Sequence, residues 1–143
     1  MIDYQLPIRK VLVTGGGGFI GGSLIRMLLK DTNFEVFNLD KLGYASSLDS
    51  IKRLISEKKI SHKRYHFIHA DLVNSDDIKK AISLSDPDLV FHLAAESHVD
   101  KSISNPTNFI QSNIIGTYNL LEAIRFHWLK LSSVRKSQFR LLH

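Results

Sequence analysis

One stretch constrains this chain more than any other. It runs Lys10-Val11-Leu12-Val13-Thr14-Gly15-Gly16-Gly17-Gly18-Phe19-Ile20-Gly21, and Asp40 follows 19 residues after its last glycine. A β-branched apolar run, a glycine-rich turn, a helix start, a second apolar run and an acid at its end make up the pattern of a βαβ unit that binds a dinucleotide. Gly15, Gly18 and Gly21 fall at a spacing of three. The first allows the sharp turn out of the strand, the second lets backbone approach a pyrophosphate, and the third lets the helix pack close. The helix start at Phe19-Ile20 aims its free N–H groups at the phosphates. Asp40 is placed to accept hydrogen bonds from ribose hydroxyls, and its charge repels a 2′-phosphate, which predicts NAD rather than NADP. Lys41 follows directly and partly offsets that repulsion. A glycine loop alone would be weak evidence; its position between a strand and a helix, with the acid beyond, makes it specific.

The rest of the chain alternates strand and helix patterns. Strands are predicted at residues 9–14, 34–39, 65–69, 89–93 and 138–143, and helices at 19–30, 48–57, 75–83 and 106–128. Ser75 is expected to cap the third helix and Pro106 to sit in the first turn of the fourth. Asp86-Pro87-Asp88 reads as a turn, and residues 132–137 as a polar loop. On the last helix Ile114, Tyr118, Leu121 and Ile124 are expected to face the core. Such alternation predicts an α/β fold, a Rossmann-like doubly wound parallel sheet of strand order 3-2-1-4-5. With the pattern reaching only a fifth strand, residues 1–143 are expected to be an incomplete NAD-binding domain. Asp71-Leu72, just after strand three, is placed to bracket adenine.

Composition narrows the function classes. The chain has 143 residues, 43% hydrophobic and 23% charged, as in ordinary globular domains. It has no cysteine, so disulfide and thiolate chemistry are excluded. No apolar run is long enough to span a membrane, and the first seven residues lack a secretory pattern. A cytoplasmic protein is expected. The net charge of +5 is scattered in small clusters such as Lys58-Lys59, Lys63-Arg64 and Arg135-Lys136. None forms a basic face interleaved with aromatics, which argues against a nucleic-acid partner. His62, His66, His69 and His127 show no ligand spacing, so no metal site is expected. His92, inside a strand, is read as a core histidine, and Trp128 as packing or a partner-facing surface.

The run His92-Leu93-Ala94-Ala95-Glu96-Ser97-His98-Val99-Asp100 is more specific than the glycine loop. Together with Leu39-Asp40-Lys41-Leu42, His69-Ala70-Asp71-Leu72, residues 109–113 and residues 116–123, it resembles the extended short-chain dehydrogenase/reductases. Within them it is similar to the N-terminal part of the dTDP-glucose 4,6-dehydratases, over nearly the whole chain. The resemblance implies that Gly15, Gly18, Phe19, Ile20 and Gly21 hold the pyrophosphate. It places Asp40, Lys41, Leu42 and Gly43 along the adenosine, Asp71 and Leu72 at the adenine, and Leu93, Ala94, Ala95, Glu96 and Ser97 past the nicotinamide. Ser112 stands for a cofactor contact that is often Thr in the family, and Ser97 is implied to touch the sugar nucleotide as well. Gly43 departs from the family's Thr and loses its side-chain hydrogen bond. Read from the residues alone, Ala94 and Ala95 permit close approach of a ligand, and Glu96 and His98 suit either acid–base work or structural hydrogen bonding.

The family's chemistry further implies a Thr-Asp-Glu group and a Tyr-x-x-x-Lys pair. The Tyr takes a sugar hydroxyl proton while hydride moves from C4 to NAD, water is lost across C5 and C6, and hydride returns to C6. Neither element occurs here: Tyr4, Tyr44, Tyr65 and Tyr118 have no Lys four residues on. No catalytic residue is therefore assigned. The expectation is a dTDP-glucose 4,6-dehydratase by family whose 143 residues alone are inactive, the alternatives being an NAD-binding module or remnant, or a related nucleotide-sugar epimerase or decarboxylase. A homodimer is expected when the protein is complete, with residues 106–128 as its interface.

Overall fold

The computed structural model describes residues 10–143. The readings made on the first seven residues, on Tyr4 and on Arg9 lie outside these. Five strands, β1 (Lys10–Thr14), β2 (Glu35–Asp40), β3 (Tyr65–His69), β4 (Leu89–His92) and β5 (Arg140–Leu142), form one sheet in the order β3-β2-β1-β4-β5. All pairs are parallel, with Val11 opposite Val36 and Leu89, and Leu12 opposite Phe37 and Val90. The expected topology is the observed one.

β1 is central, and its Val11, Leu12 and Val13 are fully buried. Alternating side chains feed two separate cores, one on each face. Val11, Val13 and Val36 pack with Ile25, Leu28 and Leu29 of α1 (Phe19–Asp31) and Ile51 of α2 (Asp49–Glu57). Leu12, Phe37, Leu39 and Val90 pack with Ile78, Ala81 and Ile82 of α3 (Ser75–Ser85) and with Leu120, Ala123 and Ile124 of α6 (Gly116–Lys130). The end of α1 is closed by Arg64, whose guanidinium donates to the carbonyls of Leu29 (3.1 Å), Phe34 (3.2 Å) and Thr32.

Several local expectations are corrected. The cap of α3 is Asn74, whose side chain accepts from the N–H groups of Asp76 and Asp77, so Ser75 is already helical. The long helix is composite. A short α4 (Val99–Ser104) precedes it, then α5 (Pro106–Phe109) runs through a π-helical stretch (Ile110–Ile115) into α6. Ile124 is buried, but Ile114, Tyr118 and Leu121 are exposed; the sheet-facing positions are Ser112, Gly116, Leu120 and Ala123. Residues 132–137 are not a loop but mostly α7 (Ser133–Gln138), capped by Ser132. The Arg135 guanidinium holds α7 to the turn before β4, pairing with Asp86 at 3.0 Å and Asp88 at 2.8 Å. No helix among the described residues is long and apolar enough to cross a membrane.

Candidate functional site

A cleft of about 270 Å3 opens at the carboxyl ends of β1, β2, β3 and β4. This is where the strand order reverses, the position at which ligands sit in such sheets. Its floor is the glycine turn. Gly15 takes a left-handed φ of 75°, and its N–H donates to the Leu39 carbonyl at 2.8 Å. A Cβ on Gly15 would stand 2.6 Å from the Ala94 nitrogen. A Cβ on Gly21 would run into the Gly15 carbonyl oxygen and stand 2.9 Å from the Gly16 Cα. α1 thus begins in contact with the turn. Its N-cap, Gly18, supplies no side-chain hydrogen bond.

Asp40 ends β2 with only 6% of its surface exposed. Its Oδ2 accepts from the Gly17 N–H at 2.8 Å; its Oδ1 accepts from the Leu42 N–H at 2.7 Å and from the Ser46 hydroxyl at 3.1 Å. The carboxylate therefore ties the glycine turn to the segment after β2. Oδ1 is filled by two donors, whereas Oδ2 has one and keeps a lone pair. Leu42 holds a left-handed φ of 53° to make this bend.

Thr14 and His92 fix the far wall. The Leu93 N–H donates to the Thr14 carbonyl at 3.1 Å, and the Ala94 N–H to the Thr14 hydroxyl at 3.3 Å. That hydroxyl meets His92 Nδ1 at 2.7 Å, and His92 Nε2 meets the Thr117 hydroxyl at 2.9 Å. The imidazole is 4% exposed and stacks on His143 with ring centres 4.9 Å apart. Burial first, and then His143, pushes its pKa down to about 4. An unfolded histidine takes its proton near pH 6.5, so between those values only the unfolded state is protonated. Stability present above pH 6.5 is lost as the pH falls toward 4, at about 1.4 kcal/mol per pH unit from this residue. Thermal melts from pH 7 to 4 are expected to show that slope in the parent and a shallower one in His92→Gln. Equal slopes would refute it.

The composite helix holds both neighbouring walls. Asn113 clamps the Glu96 backbone, accepting from its N–H at 2.8 Å and donating to its carbonyl at 2.9 Å. Asn119 donates to the carbonyls of Leu72 (2.9 Å) and Val73 (3.0 Å). A Cβ on Gly116 would lie 2.8 Å from the Leu72 Cβ, so glycine lets the helix approach. The π-helical turn brings Ser112 to the cleft and Asn113 beside it, a displacement such turns commonly produce at functional sites.

Most of the residues singled out in the sequence meet in this one cleft. Gly15, Gly18, Phe19, Asp40, Lys41, Gly43, Asp71, Leu72, Leu93, Ala94, Ala95, Glu96, Ser97 and Ser112 line it. Ile20, Gly21 and Leu42 are not among its walls. Tyr44 and Ser46 are walls not assigned in advance; His98, read as a polar group near the ligand, is a wall too, and Tyr44 and His98 face each other with ring centres 5.4 Å apart. Thr14, Asn113, Thr117 and Asn119 were also missed as supports. The last three lie in or beside the stretches that carry the family resemblance, which is the signal that would have found them. The Glu96 carboxylate pairs with Lys41 at 3.2 Å, which favours its structural reading. No cluster of metal-ligating side chains exists among the described residues.

A parallel doubly wound sheet, a glycine turn opening an uncapped helix and a buried acid at the end of β2 define a Rossmann-like α/β domain. The chain belongs to the GDP-mannose 4,6 dehydratase family, whose model matches residues 12–143. It is 47% identical to a dTDP-glucose 4,6-dehydratase of Escherichia coli over 134 residues, which cover 94% of this chain and 36% of that protein. The figure is 48%, with the same coverage, for the Salmonella typhimurium enzyme of that name. The structure matches DesIV, a dTDP-glucose 4,6-dehydratase of Streptomyces venezuelae solved with NAD bound, with a TM-score of 0.72 and 32% identity, over 93% of this chain and 38% of that one. It matches the NAD complex of the Thermus thermophilus UDP-glucose 4-epimerase with a TM-score of 0.69 and 32% identity, over 82% and 34%. The chain thus spans about a third of the length of the curated relatives it matches.

Proposed function

We propose that this chain is the cofactor-holding part of a dTDP-glucose 4,6-dehydratase and that its cleft takes NAD. The observation that carries this is the uncapped start of α1 over a glycine turn where a Cβ on Gly15, Gly16 or Gly21 would run into its neighbours, beside a buried Asp40. Free N–H groups at a helix start suit a pyrophosphate, and the spare lone pair of Asp40 Oδ2 suits a ribose hydroxyl. Asp71 and Leu72 then border the adenine, and Leu93 to Ser97 the nicotinamide, with Ser112 opposite. When bound, NAD supplies the hydride acceptor for the sugar's C4 and the donor for C6. The residues present bind and orient; Ser97 reaches the sugar nucleotide. The sequence holds neither a Tyr-x-x-x-Lys pair nor a Thr-Asp-Glu group, so on this reading the 143 residues alone turn nothing over. A cytoplasmic setting suits a cysteine-free chain of this kind. Calorimetric titration of the chain with NAD tests the reading: saturable one-to-one binding is expected, and a folded chain that binds none would overturn it.

The same reading includes a second copy of the chain as partner. Ile110, Ile114, Tyr118 and Leu121 recur along the outer face of the composite helix, and Tyr118 is 62% exposed. Large apolar side chains repeated on one helix face suit helix-to-helix association. Light scattering of Tyr118→Glu/Leu121→Glu is expected to report monomer where the parent reports dimer. A parent that is already monomeric, or a variant that stays dimeric, would remove the interface.

A further inference from the structure

Lys41 adjoins Asp40, and by charge alone it should soften the repulsion of a 2′-phosphate. The structure gives its ammonium a different engagement. Lys41 is the first residue past the end of β2. Asp40 turns toward the glycine turn and Ser46, while Lys41 Nζ lies 3.2 Å from Glu96 Oε1 and 4.0 Å from Asp71 Oδ2. One ammonium is thereby shared between two carboxylates that come from the ends of β3 and β4. The Asp71 carboxylate and the Glu96 backbone are each held by other bonds. Asp71 Oδ1 accepts from the Val73 N–H at 3.1 Å, and the Glu96 backbone is clamped on both sides by Asn113. With Asp40, this rim of the cleft carries three carboxylates against one ammonium.

We infer that Asp71 and Glu96 are specificity-determining residues: they hold the Lys41 ammonium between them and so deny it to a phosphate on the adenosine ribose. The inference rests on the cleft being an NAD site and deepens it, because discrimination is assigned to four residues rather than to Asp40 alone. Lys41 is 38% exposed on its side chain, so its pairs contribute little to stability. Their consequence is where the charge sits. Once released, the flexible four-carbon stem lets the ammonium swing toward the ribose edge.

The test is binding of NADH and NADPH to the 143-residue chain, followed by nicotinamide fluorescence, with 5′-AMP and 2′,5′-ADP as probes of the adenosine half. The parent is expected to prefer NADH and 5′-AMP. Glu96→Gln is expected to shift both preferences toward the phosphorylated ligand by about 3-fold, and Asp71→Asn/Glu96→Gln by about 10-fold or more, since like charges are removed and a cation freed. Asn at position 71 retains the acceptor for Val73, and circular dichroism verifies folding. Lys41→Met added to the double variant is expected to cancel most of the gain. A folded double variant that binds NADH with an unchanged preference would overturn this inference and leave the NAD site standing. So would a gain that survives Lys41→Met, because simple loss of negative charge would then explain it. A folded parent that binds neither dinucleotide would overturn both.

Discussion

Gly21→Ala is expected to cost about 4 kcal/mol of stability, somewhat beyond the usual range for an overpacked core. The added Cβ meets backbone rather than a flexible side chain: it runs into the Gly15 carbonyl oxygen and stands 2.8 Å from the Gly15 carbon. Alanine's better helix propensity returns less than ~1 kcal/mol and does not change the sign. α1 has to lift from the turn, and with it go the packing of Ile25 on β1 and the approach of the helix start to the cleft. For a chain of this size the melting temperature is expected to fall by roughly 10 °C or more. Gly43→Ala is the control. Nothing lies within 4 Å of a Cβ there, and its effect is expected to stay within ~0.5 kcal/mol. Melts of the two variants beside the parent decide it; equal melting temperatures would show that the turn yields where the geometry says it does not.

The part of the fold that rests on backbone arithmetic was legible in the sequence. β1 and β2 are short apolar runs buried on both faces, and the turn between β1 and α1 needs glycine for steric reasons a sequence displays directly. The composite helix was not legible in the same way. Its residues form two apolar stripes at helical spacing, one through Leu120, Ala123 and Ile124 and one through Ile114, Tyr118 and Leu121. Periodicity finds both and cannot choose between them. The choice is made by size: Ser112, Gly116 and Ala123 are small enough to let the helix settle against the sheet and Leu72, so the bulky stripe turns outward. α7 was missed because six residues carry too little periodicity, and its anchor is a tertiary ion pair between Arg135 and Asp86. Asn113 and Asn119 act through backbone carbonyls and N–H groups distant in sequence, so spacing alone carries no trace of what they hold.

Asp40→Ala is expected to weaken NAD binding and stability together, because on the proposed reading one buried carboxylate serves both. Three donors lose their acceptor: the N–H groups of Gly17 and Leu42 and the Ser46 hydroxyl. Leu42 and Ser46 are partly exposed and recover water, but Gly17 is buried. An orphaned buried N–H together with a lost charged acceptor amounts to about 3 kcal/mol. The segment after β2 is then held to the glycine turn chiefly by the Ser47 N–H on the Gly17 carbonyl at 2.8 Å. A charged hydrogen bond to a ribose hydroxyl is worth roughly 1.5–3 kcal/mol, or about 10- to 100-fold in affinity, before any loosening of the turn is added. Asp40→Asn separates the two roles. Its single carbonyl oxygen still serves the buried Gly17 N–H, and its amide nitrogen donates to the Ser46 hydroxyl while the exposed Leu42 N–H turns to water, so the stability loss is expected to be smaller than in Asp40→Ala, while the ribose meets no carboxylate and affinity still falls about 10-fold. Calorimetry with NAD and thermal melts on both variants give the answer. Parent-like affinity in Asp40→Asn would mean that Asp40 holds the turn and does not hold the ribose.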